Sequence, residues 1–122
     1  MYYVSVESSF DSAHSLRNYG GKCENVHGHR FKVVVRLESS ELNETGLAYD
    51  FTVLRKQLNE ALAKYDHHNL NEVSPFDRIN PSSENLARTI FEQILEGFPD
   101  NVKLHSVEVW ESPESCAVYQ PD

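Results

Sequence analysis

His27-Gly28-His29-Arg30-Phe31-Lys32-Val33-Val34-Val35-Arg36-Leu37-Glu38 is the stretch on which the fold turns. Phe31, Val33, Val35 and Leu37 alternate with Arg30, Lys32, Arg36 and Glu38, the two-residue period of a strand with one buried face. Upstream, residues 1–10 repeat the pattern, with Tyr2, Val4, Val6 and Phe10 on one side and Tyr3, Ser5, Glu7 and Ser9 on the other. The intervening Asn18-Tyr19-Gly20-Gly21 is a turn signal, so the two runs are expected to pair as an antiparallel hairpin.

Downstream the period changes. Asp50 is placed to cap a helix over 51–65, where Phe51, Leu54, Leu58, Leu62 and Tyr65 recur at three- and four-residue steps. A second helix is expected after Pro81, capped by Ser82 or Ser83, running through Leu86, Ile90, Ile94 and Leu95 and stopping at Gly97. Leu104–Glu111 and Ser115–Gln120 read as two more strands around the turn Ser112-Pro113-Glu114. The order ββααββ, with no repeat or linker, predicts a single α+β domain over 1–122: a four-stranded antiparallel sheet with two helices on one face. Open edges and an uncovered face invite association, which favours a ring-forming homo-oligomer whose sheets close into a barrel.

The totals agree with one domain. The chain has 122 residues, 25% of them charged and 39% apolar, with no run long enough to span a bilayer. The start lacks a signal-peptide pattern, so a cytoplasmic protein is expected. A net charge of -8 opposes a general grip on nucleic acid, although Arg17, Lys22, Arg30, Lys32 and Arg36 could form a local basic rim. Cys23 and Cys116 are expected to be free thiols, at least one of them buried.

Three histidines suggest a metal centre. On an extended backbone His27 and His29 share a face, and a hairpin brings His14 opposite them. Three imidazoles with an open fourth position suit catalytic zinc. Cys23 just upstream is a possible nucleophile, base or fourth ligand. Asp66 next to His67 could orient that imidazole, whereas His68 and Asn69 read as the C-terminal cap of the first helix. Glu111 ends a strand on the same side as Val107 and Val109; if buried, a heterocycle offering an amino group and a ring N–H would satisfy both of its oxygens.

With Phe10-Asp11-Ser12-Ala13-His14, Cys23-Glu24-Asn25-Val26-His27-Gly28-His29, Asp66-His67-His68-Asn69-Leu70-Asn71, Asn80-Pro81-Ser82-Ser83-Glu84-Asn85 and Trp110-Glu111, the chain resembles the pyruvoyltetrahydropterin synthase family from end to end. The resemblance implies the tunnelling fold, in which trimers build a barrel and stack as hexamers with sites at subunit interfaces. It implies His14, His27 and His29 as zinc ligands, Cys23 as thiol base, His67 with Asp66 as proton relay, and Glu111 as pterin anchor helped by Ser82, Ser83 and Glu84.

The short spacing of Cys23 and His27 is similar to the carboxytetrahydropterin branch. That branch implies conversion of 7,8-dihydroneopterin triphosphate to 6-carboxytetrahydropterin with release of acetaldehyde and triphosphate, in queuosine (7-deazaguanine) synthesis. Zinc is then the one cofactor. The sister readings are a 6-pyruvoyltetrahydropterin synthase and, because Glu24 stands beside Cys23, an aldolase releasing 6-hydroxymethyldihydropterin. Rivals from other classes are a structural zinc module closed by Cys23 and a pterin or purine binder without chemistry.

Overall fold

The computed structural model describes residues 1–21 and 25–122, so Cys23 and Lys22 lie outside the described residues. Both strands of the hairpin outrun their hydrophobic signal: β1 spans Tyr2–His14 and β2 spans His27–Ser39. They pair antiparallel without a break from Tyr2 opposite Ser39 to His14 opposite His27. Beyond Phe10 the inward positions of β1 pass to Ser12 and His14, and before Phe31 those of β2 pass to His29 and His27. The strand continues where its apolar period stops, because backbone pairing does not require apolar side chains.

Helix α1 (Phe51–Leu62) opens at Asp50, whose carboxylate accepts from the Thr52 N–H. It ends three residues earlier than the period suggested. Tyr65 still enters the core, from the turn beyond the helix; its hydroxyl donates to Gln93 Oε1 at 3.1 Å, and burial pushes the phenol up to about 12. Helix α2 (Ser83–Ile94) is capped by Ser82, which accepts from the Asn85 N–H. Leu54, Leu58 and Leu62 of α1 and Leu86, Ile90 and Phe91 of α2 meet Phe31, Val33, Val35 and Leu37 in one buried cluster.

Two sequence expectations need correction. The sheet has five strands and is mixed, in the order β3-β1-β2-β4-β5. Strand β3 is only His68–Asn69 and runs parallel to Ser12 and Ala13 of β1; β4 (Val102–Ser112) pairs with β2, and β5 (Ser115–Tyr119) with β4. His68 and Asn69 therefore do not cap α1. The Asn69 carboxamide instead accepts from the Asn71 N–H and starts a 3₁₀ turn over Leu70–Glu72. A two-residue strand has no readable period, so only tertiary pairing reveals it.

The face away from the helices is polar. Arg36 pairs with Glu108 at 3.2 Å, Lys32 Nζ sits 4.7 Å from the Trp110 ring centroid, and Tyr3 meets His105 edge-on. Among the described residues, β1 is flanked on its outer side only at Ser12 and Ala13, and β5 pairs with β4 alone. Two sheet edges are left open. Cys116 is exposed, and among the described residues no helix is long and apolar enough to cross a membrane.

Leu58 has no exposed surface and faces the sheet from the middle of α1. Leu58→Ala is expected to cost about 2–5 kcal/mol through lost burial and a residual cavity, read as a lower urea midpoint at unchanged slope.

Candidate functional site

His14, His27 and His29 continue the inward rows of β1 and β2, so they emerge where the hydrophobic core ends. His14 and His29 lie edge-on to Phe31, with ring centroids 5.2 Å and 5.7 Å away. The three imidazoles and the Glu111 carboxylate offer ligand atoms that all lie within 4.8 Å of one another. Glu111 Oε1 stands 3.2 Å from His14 Nε2, 3.0 Å from His29 Nε2 and 3.9 Å from His27 Nε2.

The protons show what this cluster lacks. His14 Nδ1 donates to the Pro81 carbonyl at 2.8 Å, and His27 Nδ1 donates to the Asn25 carbonyl at 2.6 Å. A carbonyl only accepts, so Nδ1 of both rings carries a proton and Nε2 faces inward, that of His14 in a 3.2 Å hydrogen bond with Glu111 Oε1. His29 Nε2 is buried and has no hydrogen bond; its approach to Glu111 lacks the required alignment. Burial lowers the His29 pKa, and although Glu111 opposes this, the neighbouring His14 and His27 add to the lowering. Three ring nitrogens gathered around one carboxylate oxygen require positive charge between them, as a proton or as a metal cation. The donor set of three nitrogens and one oxygen therefore fits a divalent transition metal.

A second group lies at the β1 edge. Asp66 Oδ1 accepts from the Asp11 N–H at 2.9 Å, Asp66 Oδ2 stands 3.0 Å from His67 Nδ1, and the His67 N–H donates to the Asp11 carbonyl at 2.6 Å. The ring turns back onto Asp66 because His67 has a left-handed backbone, with φ of 58°. The Asp11 N–H, and to a lesser degree His67 and Arg30, hold the Asp66 carboxyl below its ordinary value. An open cleft touches both groups: it is lined by Asp11, Ser12, Ala13, Gly28, Arg30 and His68 together with His29 of the first group and His67 of the second.

The structure brings together His14, His27, His29 and Glu111, and separately Asp66 with His67. The expectation for Glu111 was contact with a bound heterocycle; in the structure its carboxylate turns onto the histidines. Ser82 is occupied as the α2 cap, Ser83 Oγ is buried without a partner, and Glu84 is exposed in the first turn of α2. Cys23 lies outside the described residues.

The basic rim does not survive intact. Arg17 is turned inward, where its guanidinium donates to the carbonyls of Asn71, Phe76 and Ile79. The asparagines of the motifs have a role that composition did not reveal. Asn71 exchanges two hydrogen bonds with the backbone of Ser15, Asn80 does the same with Arg17, and Asn85 donates to the Asn80 carbonyl. These carboxamides act as substitute strand partners for the segment leaving β1, and so position the Pro81 carbonyl that orients His14.

A sequence model described as 6-pyruvoyl tetrahydropterin synthase matches residues 3–122. The chain belongs to this family. A 6-carboxy-5,6,7,8-tetrahydropterin synthase from Synechocystis is 38% identical across 98% of this chain and 93% of its own. A dihydroneopterin monophosphate aldolase from Pyrococcus furiosus is 36% identical across 91% of this chain and 90% of its own. The solved 6-pyruvoyl tetrahydropterin synthase of Caenorhabditis elegans superposes with a TM-score of 0.84 at 31% identity, covering 100% of this chain and 98% of that one. The expected tunnelling-fold unit of helices on one sheet face is thus the family's fold.

Two outcomes follow from the geometry. His29→Ala is expected to leave less than about one tenth of the metal bound to the wild type after zinc loading and dialysis, read by elemental analysis. In a carboxyl NMR titration, Asp66 is expected to protonate below 3.8. Its depressed folded value means that the bond from the Asp11 N–H is fully present above 3.8 and is lost as pH falls through the lower folded value; a midpoint at or above 3.8 would contradict the arrangement.

Proposed function

We propose that this chain is a zinc-dependent lyase that converts 7,8-dihydroneopterin triphosphate and water to 6-carboxytetrahydropterin, acetaldehyde and triphosphate, supplying 7-deazaguanine (queuosine) synthesis. The observation that carries this reading is the convergence of the His14, His27 and His29 Nε2 atoms beside Glu111, in a chain with the Synechocystis synthase among its relatives. His14, His27 and His29 would hold zinc, which when bound would supply Lewis acidity to acidify a C–H next to a side-chain hydroxyl of the substrate.

The remaining roles belong to the chain. Cys23 removes the activated proton as thiolate, and His67, oriented by Asp66, moves protons to and from the reacting carbons. Glu111 anchors the amino and ring N–H groups of the pterin, helped by the Ser82-Ser83-Glu84 stretch. Within one chain the Asp66–His67 pair occupies the β1 edge, whereas the histidines lie on the helix-covered face. A trimer or hexamer that joins sheets through the open edges of β1 and β5 would place the cleft shared by His29 and His67 beside a neighbouring copy, and the open edges support this reading of sites at subunit interfaces.

The likeness to the Pyrococcus aldolase supports a second reading, release of 6-hydroxymethyldihydropterin by carbon–carbon cleavage without the internal redox step. The deciding experiment incubates zinc-loaded protein with 7,8-dihydroneopterin triphosphate and identifies products by mass spectrometry. The expected products are 6-carboxytetrahydropterin and acetaldehyde, with turnover falling by about a hundredfold or more in Cys23→Ala at unchanged zinc content. 6-Hydroxymethyldihydropterin would establish the aldolase reading instead, and parallel loss of zinc in Cys23→Ala would make the cysteine a ligand.

A further inference from the structure

On the outer face of the sheet, Arg30, Lys32, Trp110, Ser112 and Pro113 enclose a pocket of about 230 Å³. No carboxylate lines it among the described residues, in a chain whose net charge is -8. Arg30 is held in a two-point contact with Asp11, Nε to Oδ1 at 3.1 Å and Nη2 to Oδ2 at 3.2 Å. Its Nη1 has no partner among the described residues. Lys32 Nζ lies over the Trp110 ring and is 3.8 Å from Glu7, a loose contact between exposed groups. The Ser112 hydroxyl accepts from the Glu114 N–H, which leaves its own proton free to donate.

Arg30 also lines the cleft that contains His67 and His29. One guanidinium therefore forms the wall between the candidate chemistry and the cationic pocket. Asp11 holds that guanidinium by its side chain while its backbone holds Asp66 and His67, so the two compartments share a rigid frame.

We infer that the pocket bounded by Arg30, Lys32, Trp110 and Ser112 is a subsite for a phosphate tail, with Arg30 and Lys32 neutralising its charge and Trp110 keeping the lysine extended over its ring. Guanidinium and ammonium groups around a hollow with no carboxylate in its described lining are the donors a polyphosphate requires. This rests on the pterin reading, since the tail entering from the His67 cleft is that of the proposed substrate. The same chemistry also accommodates the phosphates of a free nucleotide.

Equilibrium titration of zinc-loaded protein with neopterin triphosphate, neopterin and GTP, followed by fluorescence or calorimetry, separates these sources. The wild type is expected to prefer neopterin triphosphate to neopterin. Lys32→Gln and Arg30→Gln are each expected to weaken the triphosphate by about tenfold, with neopterin as the reference ligand. Glu7→Gln removes the same surface ion pair as Lys32→Gln but keeps the cation, so it should bind the triphosphate at least as well as the wild type. Equal loss of both pterins in Lys32→Gln, or equal loss in Glu7→Gln, overturns the subsite. If only GTP binds and Lys32→Gln weakens it, the phosphate pocket stands while the pterin reading fails. If none of the three binds, both fall.

Discussion

A one-residue slip between β1 and β2 would turn His27 and His29 to the polar face and leave His14 alone against the core. Register between these two strands is thus the constraint on which the candidate metal centre rests, because side chains alternate faces with a period of two. The register is held by burial: Val6 and Phe10 on β1, and Phe31, Val33, Val35 and Leu37 on β2, must all face the helices. The hydrophobic core therefore places the polar cluster. The histidines occupy the next inward positions of strands whose direction has already been set.

The same frame serves the other face. Asp11 points outward between the inward Phe10 and Ser12, where it pairs with Arg30 directly across the ladder. Its backbone N–H and carbonyl, unused by β2, are taken by Asp66 and His67. A sheet edge that would otherwise be bare is used to fix a carboxylate–imidazole pair.

Periodic elements were legible in the sequence and aperiodic ones were not. The alternation of Phe31 to Leu37, the helical steps of Leu54, Leu58 and Leu62, and the caps at Asp50 and Ser82 all express local rules, and the structure follows them. The grouping of His14 with His27 and His29 was legible because hairpin pairing converts sequence spacing into proximity. Strand β3, the left-handed turn at His67 and the inward use of Arg17 depend on contacts between residues more than 50 positions apart, which no local pattern encodes. Glu111 was placed on the correct side of its strand, but its approach to the histidines follows from where β4 lies beside β2. Asn71, Asn80 and Asn85, which the sequence offered only as parts of motifs, are backbone partners.

The conformation of His67 bears on how this protein could be improved. A branched or bulky residue is strained at φ of 58°, and even histidine gives up on the order of 1 kcal/mol there compared with a residue free of Cβ crowding. Glycine or asparagine at this position would relax the turn, and a search for thermal stability would tend to select it. It would also remove the imidazole from the Asp66 carboxylate. Stability and the proposed relay thus compete at a single residue, and a stabilised version of this protein is best sought in the helices, away from the sheet edge.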